Sequence, residues 1–256
     1  MRIKICMFLL AAFFIGCKKD NLVVATSANF APFEYMDGNE FKGIDIDIIR
    51  DIAKELNMEL VIKNMEFDSV IQSVASRNVD VGISGLTINE TRQKVVNFTE
   101  PYFSATQVVV FNNNDDRFVG IDSKDALVNV ISMSKGIKIG VQTGSTGEFY
   151  AKGDSDWGFD GFKDANVLSF SNGAMAMSAM LNGQIDIVIV DEMPAKGLVK
   201  ANEGSNYLAI PLTEEKYSIS VRKDKGELLK RINDILERMQ EDGSIDEIVN
   251  KHYNNL

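Results

Sequence analysis

The stretch from Asn78 to Arg92, NVDVGISGLTINETR, holds the residues best suited to chemistry. A buried-strand pattern of Val79, Val81 and Ile83 runs into Ser84, Gly85 and Thr87, and Arg92 follows about one helical turn later. Small hydroxyls and bare backbone N–H groups at a strand end, with a guanidinium beside them, suit a carboxylate. Arginine offers a planar fork of donors that matches two carboxylate oxygens, and glycine lets the main chain come close enough to donate as well. The same spacing also fits a plainer arrangement, in which Thr87 or Asn89 caps a helix beginning at Glu90 and Arg92 is a solvated surface charge.

The elements that would position this stretch follow the pattern of a parallel sheet. Leu22-Val23-Val24-Ala25 reads as a strand, and Thr26 to Tyr35 as a loop stiffened by Pro32. Ile48, Ile49, Ile52, Ala53 and Leu56 recur at helical spacing, Leu60-Val61-Ile62 reads as a second strand, and Phe67 to Ala75 as a helix leading into the central stretch. Strand, helix, strand, helix, strand predicts parallel pairing with right-handed crossovers. The pattern returns at Ile137 to Val141, the small-residue loop Thr143 to Gly147, the helix opened by Glu148, and the run Gln184 to Asp191 after a helix over Ala174 to Leu181. Gly144-Ser145-Thr146 lies between a strand and a helix start, where free N–H groups and the helix dipole favour an anion. Asn78 to Ile83 and Gln184 to Ile189 share one pattern: polar, apolar, Asp, apolar, any residue, Ile. Asp80 and Asp186 are read as structural, at strand starts. Two similar α/β lobes are expected, residues 22–106 plus 214–256 and residues 107–213, with the extended runs Thr106 to Phe111 and Tyr207 to Pro211 crossing between them.

Composition narrows the function. The 256 residues are 45% hydrophobic and 25% charged with only four prolines, enough for two lobes with cores of their own. Lys and Arg number 27 against 37 Asp and Glu, for a formal net charge of -10, and no basic cluster is long enough to track phosphates, so nucleic acid is excluded as a partner. Arg2 and Lys4 precede an apolar run, Ile5 to Ile15, that is shorter than the roughly 20 residues a bilayer core requires. Residues 1–16 therefore read as a signal peptide. Gly16-Cys17 resembles a bacterial lipoprotein processing site, which implies lipid on Cys17, a tether over residues 17–21 and membrane attachment through that anchor. Cys6 and Cys17 leave no disulfide and no cysteine metal site, and the single histidine, His252, leaves no metal-ligand spacing and no Ser/His/Asp set. No cofactor is expected.

Several blocks, in order, resemble the extracellular solute-binding proteins that serve polar amino-acid ABC transporters. They include Ala25-Thr26-Ser27 with Pro32-Phe33-Glu34-Tyr35, Gly43-Ile44-Asp45, Phe67-Asp68-Ser69, Ser84-Gly85-Leu86-Thr87 with Arg92, Asn97-Phe98-Thr99-Glu100-Pro101-Tyr102, Gly140 to Thr146, and Ile185 to Asp191. The resemblance covers nearly all of residues 22–256. It implies a two-lobed periplasmic-binding-protein fold of type II, each lobe a mostly parallel sheet flanked by helices, joined by a two-strand hinge. It implies that Arg92 grips a ligand α-carboxylate, helped by Ser84, Thr87, the backbone at Gly85, and Ser145 and Thr146 from the other lobe. Asp191 matches the carboxylate that holds the α-ammonium, and Phe30 and Phe67 match the aromatic walls around the ligand side chain.

Related binders of basic or amide amino acids place a carboxylate near the position of Ser27. Here Ser27 and Asn29 are neutral, and Glu34 is the nearest acid for a cationic side chain. The expected ligand is a polar or cationic L-amino acid, arginine-, lysine- or glutamine-like, captured by hinge closure in the periplasm or at the cell surface and delivered to a membrane permease. The alternative is an enzyme on the same fold resembling the cyclohexadienyl dehydratases, which needs a general acid of raised pKa in the cleft.

Overall fold

A computed structural model describes residues 19–253; the signal-peptide and Cys17 readings fall outside them. The chain begins with β1 (Asn21–Thr26), the small ribbon β2 (Asn29–Phe30), β3 (Glu34–Asp37) and β4 (Glu40–Lys42), then α1 (Ile44–Glu55), β5 (Glu59–Asn64), α2 (Phe67–Ala75), β6 (Val81–Gly82), α3 (Glu90–Gln93) and β7 (Asn97–Phe98). It crosses through β8 (Phe103–Ala105) into β9 (Gln107–Asn112), α4 (Lys124–Met133), β10 (Lys138–Gln142), α5 (Thr146–Lys152), β11 (Asn166–Phe170), α6 (Gly173–Leu181), β12 (Ile187–Asp191), α7 (Glu192–Ala201) and β13 (Ser205–Leu208). It returns through β14 (Glu215–Tyr217) to β15 (Ser220–Val221), α8 (Gly226–Glu241) and α9 (Ser244–Tyr253).

Two five-stranded sheets result, in the orders β5-β1-β6-β15-β7 and β11-β10-β12-β9-β13. In each, four strands run one way and the fourth in order, β15 or β9, runs antiparallel to both its neighbours, so the lobes repeat one topology. The shared Asp is the visible trace of that repeat. Val23 N–H donates to Asp80 Oδ2 at 3.0 Å while Asp80 N–H donates to Val23 O at 2.8 Å; Lys138 and Asp186 make the same reciprocal pair at 2.7 and 2.9 Å. Each carboxylate pins the start of a central strand.

The crossings differ from the expected ones. The runs around Val108 and Tyr207 are antiparallel neighbours inside the second sheet, with Tyr207 opposite Val110, and the chain passes between lobes just outside them. The reason lies in the residue types: Gln107 to Phe111 is buried at every position, and an unalternating apolar run marks a strand covered on both faces rather than a ribbon between lobes. The crossings are β8 and β14, which pair antiparallel with Phe103 opposite Tyr217 and Ala105 opposite Glu215. They form the two-strand hinge.

The first core is built on α1 and α8. Ile48, Ile49 and Ile52 of α1 meet Ile232, Ile235, Leu236 and Met239 of α8, whose i, i+3, i+4, i+7 spacing puts them on one helical face. Gly43 locks the loop that carries Phe30 and Glu34 onto the start of α1. At φ 125 it lies in a region that favours glycine, and a Cβ there would fall 2.1 Å from Phe33 O. That approach allows Ile44 N–H to donate to Pro32 O at 3.0 Å and Asp45 N–H to Phe33 O at 2.9 Å. Phe30 packs against core residues of both lobes.

Candidate functional site

Arg92 sits at the junction of the lobes. Asn89 Oδ1 caps its helix by accepting from Arg92 N–H at 2.7 Å, so the capping half of the plainer arrangement holds. The solvated half does not, because Arg92 is only 8% exposed. Its Nη1 donates to Thr87 O at 2.7 Å, and its Nη2 reaches across to Gly144 O in the second lobe at 3.0 Å. The rings of Phe67 and Trp157 lie 5.7 and 5.6 Å from its Cζ, one from each lobe. Burial pulls its pKa down to about 10, with Glu215 pulling the other way, so the group stays charged at neutral pH.

Two buried carboxylates face this guanidinium. Asp191, where β12 ends, accepts from the buried Tyr217 hydroxyl on the hinge. Burial first, and Glu215 second, push its pKa up to about 7. Glu215 lies opposite Ala105 in the hinge ladder and collects Thr87 Oγ1 and Thr146 Oγ1, each at 2.6 Å, on Oε2, and Thr213 Oγ1 and Gln107 Nε2 at 2.7 and 2.9 Å on Oε1. Thr87 comes from the first lobe and Thr146 from the second, and their Oγ1 atoms are 3.2 Å apart. Sequence reasoning placed Arg92, Thr87, Thr146 and Asp191 together and missed Glu215, Gln107, Tyr217 and Trp157.

Other sequence-assigned residues have different work. Ser145 caps α5: its Oγ donates to Gln142 O at 2.8 Å and accepts from Glu148 N–H at 3.3 Å, while Gly144 N–H is taken by the Glu148 carboxylate at 2.6 Å. The chain's own acid thus occupies part of the anion-favouring loop. Gly85 N–H, expected to serve a ligand carboxylate, donates instead to Asp45 Oδ2 at 2.8 Å. What Gly85 contributes is room: at φ 52, a Cβ would lie 3.0 Å from the Phe30 ring. Ser84 accepts from Ser27 N–H at 3.0 Å and donates to Glu34 Oε1 at 2.6 Å, with Ser27 Oγ and Glu34 Oε2 left as buried atoms without a partner. Burial, with Asp45 alongside, pushes Glu34 well above the ordinary carboxylate range.

A cavity of about 610 Å³ opens beside Phe30 between the lobes, lined among others by Asn29, Ala31, Val190, Pro194 and Leu198, with Lys200 also contributing. Neither Glu34 nor any other acid lines it, because the Glu34 carboxylate turns inward to Ser84. Among the described residues no group of His, Cys, Asp or Glu is arranged to hold a metal ion, and no helix is long and apolar enough to cross a membrane.

A chain folded into two like lobes joined by a pair of strands has known counterparts. Residues 22–255 match the model of the bacterial extracellular solute-binding proteins, family 3. The chain belongs to that family. A probable histidine-binding protein of Neisseria gonorrhoeae is 32% identical over 234 residues, 90% of this chain and 82% of that one. A substrate-binding protein of an amino-acid ABC transporter from Streptococcus pneumoniae, solved with L-arginine, is 29% identical with a TM-score of 0.80, covering 91% of this chain and 94% of that one. An ancestral arginine-binding protein solved with glutamine is 37% identical with a TM-score of 0.79, covering 91% and 98%.

Within this family member, Trp157 is the sequence's single tryptophan and rests on Arg92 from the opposite lobe, stacked on Phe149 at 5.1 Å. Trp157→Ala removes one of the two aromatic faces on Arg92. It is expected to weaken solute binding by about 0.5–2 kcal/mol, or roughly 2- to 30-fold, in calorimetry. An unchanged affinity would show that the ring contributes nothing to solute binding.

Proposed function

We propose that this protein captures a polar or cationic L-α-amino acid between its lobes and delivers it to the membrane permease of an ABC transporter. The observation that carries the reading is the pairing of opposite charges across the lobe junction: Arg92 from the first lobe and Asp191 from the second, both buried and within electrostatic reach of each other. An amino acid presents a carboxylate to one and an ammonium to the other. The cavity beside Phe30 gives its side chain room, with an aromatic face for a guanidinium and Asn29 for an amide. The relatives solved with arginine and with glutamine support this class.

The hinge supplies the mechanism. A ligand drives closure only to the extent that it binds the closed form better. Contacts from the second lobe, through Asp191 and Thr146, supply that difference. Calorimetry against the twenty amino acids is expected to find one or a few polar or basic ligands, and Arg92→Ala to cost about 2–5 kcal/mol, roughly 30- to several-thousand-fold. A loss below about fivefold would remove Arg92 as the anchor.

Asp191 makes binding depend on pH. Its pKa in the free protein is raised to about 7, and an ammonium beside it favours the ionised form. Affinity is therefore full above that value and falls as pH drops through it, by up to about tenfold per unit, with proton release on binding. A dissociation constant that stays flat between about pH 8 and pH 6 would mean that Asp191 does not hold the amine.

The Cys17 lipid anchor, part of the same proposal, rests on the Gly16-Cys17 pattern after an apolar run. Cys17→Ser is expected to move the protein from the membrane fraction to the soluble one. Unchanged partition would discard the anchor and leave the binding reading intact.

A further inference from the structure

Glu215 stands between the lobes with 5% of its surface exposed, and four donors converge on its two oxygens. A carboxylate only accepts, and a threonine hydroxyl owns a single proton. At 2.6 Å from Oε2, the protons of Thr87 and Thr146 both point at Glu215, so each Oγ1 meets any other neighbour through its lone pairs alone. The two oxygens, 3.2 Å apart, then have no proton between them. Gln107 is held the same way: its Nε2 donates to Glu215, which fixes the amide and leaves Oε1 as a buried acceptor without a partner. Asp191 adds a second carboxylate to the junction.

We propose that Glu215 is a positioning residue for the ligand's ammonium group: by drawing both hydroxyl protons it turns Thr87 and Thr146 into a pair of acceptors that, with Asp191, receive an ammonium and turn away a second anion. This rests on the amino-acid reading above. It departs from the expectation that these hydroxyls help Arg92 hold the carboxylate. Because Thr87 and Thr146 belong to different lobes, the acceptor pair exists only when the lobes are closed.

The test is calorimetry of Glu215→Gln with matched probes: L-arginine against 5-guanidinopentanoate, and L-glutamine against glutaramate. Each pair differs only in the α-ammonium. A glutamine amide has donors as well as an acceptor, so it releases one threonine proton toward the ligand. The variant is expected to weaken the amino acid by roughly 10- to 100-fold, the des-amino probe by less than about threefold, and so to lose most of the wild type's preference for the amine. Thr146→Val, which deletes one acceptor and leaves the other three donors to Glu215 in place, is expected to show the same amine-selective loss, and it keeps the test decisive if Glu215→Gln fails to fold. Equal weakening of both members of a pair, or no change in either, overturns the proposal by reducing Glu215 to a strut of the hinge. Wild-type protein that binds none of the amino acids overturns the amino-acid reading, and the proposal with it.

Discussion

A guanidinium removed from water must be compensated, and the junction between the lobes is arranged around that requirement for Arg92. Leaving such a charge unpaired costs several kcal/mol. Two carbonyls, two aromatic faces and the field of two carboxylates offset it, and they come from both lobes and from the hinge. Gly144 O and Trp157 belong to the second lobe, so part of this compensation is lost whenever the lobes separate. The electrostatics of one side chain in the first lobe are therefore tied to the position of the second.

The hinge is where that tie is made. Glu215 and Tyr217 are alternate residues of β14 and so project from one face of the strand, one toward the threonine pair and the other onto Asp191. The strand that joins the lobes thus carries one acid of the junction, Glu215, and the hydroxyl that holds the other, Asp191. Asp191, in turn, is pushed up by its own burial and by Glu215, so a positive charge brought beside it would favour its ionised form.

Much of the fold was legible because it is written in local patterns. The repeated Asp at strand starts, the helical spacing in α1 and α8, and the Gly/Ser/Thr loops all act within one element or its neighbour. The crossings were misplaced because a buried strand and a ribbon between lobes look alike until both faces of Gln107 to Phe111 are known to be covered. The site was legible where a residue type has few alternatives, as for Arg92 and Asp191. It was not legible where partners lie far apart in sequence: Glu215 meets Thr87 across 128 positions and Thr146 across 69. Gly85 and Ser145 were read as free donors because sequence shows that an N–H or a hydroxyl is present, but not that Asp45 or a helix cap has already taken it.

On the proposed reading, the charged junction and the cavity beside Phe30 divide the labour of recognition. The junction is built from crossing strands, strand ends and helix starts of both lobes, each tied to several others by hydrogen bonds, and a change there disturbs closure itself. The cavity is lined by one short ribbon of the first lobe and, in the second, by the start of α6, the end of β12 and one face of α7 through to its last residue. Its residues are mostly small or apolar and hold no part of the hinge network. Substitutions at Asn29, Ala174 or Leu198 alter what fits beside Phe30 without touching Arg92, Glu215 or Asp191. A protein that binds its ligand as proposed would keep its grip on the shared ends of a ligand class while its choice among members of that class remained free to vary.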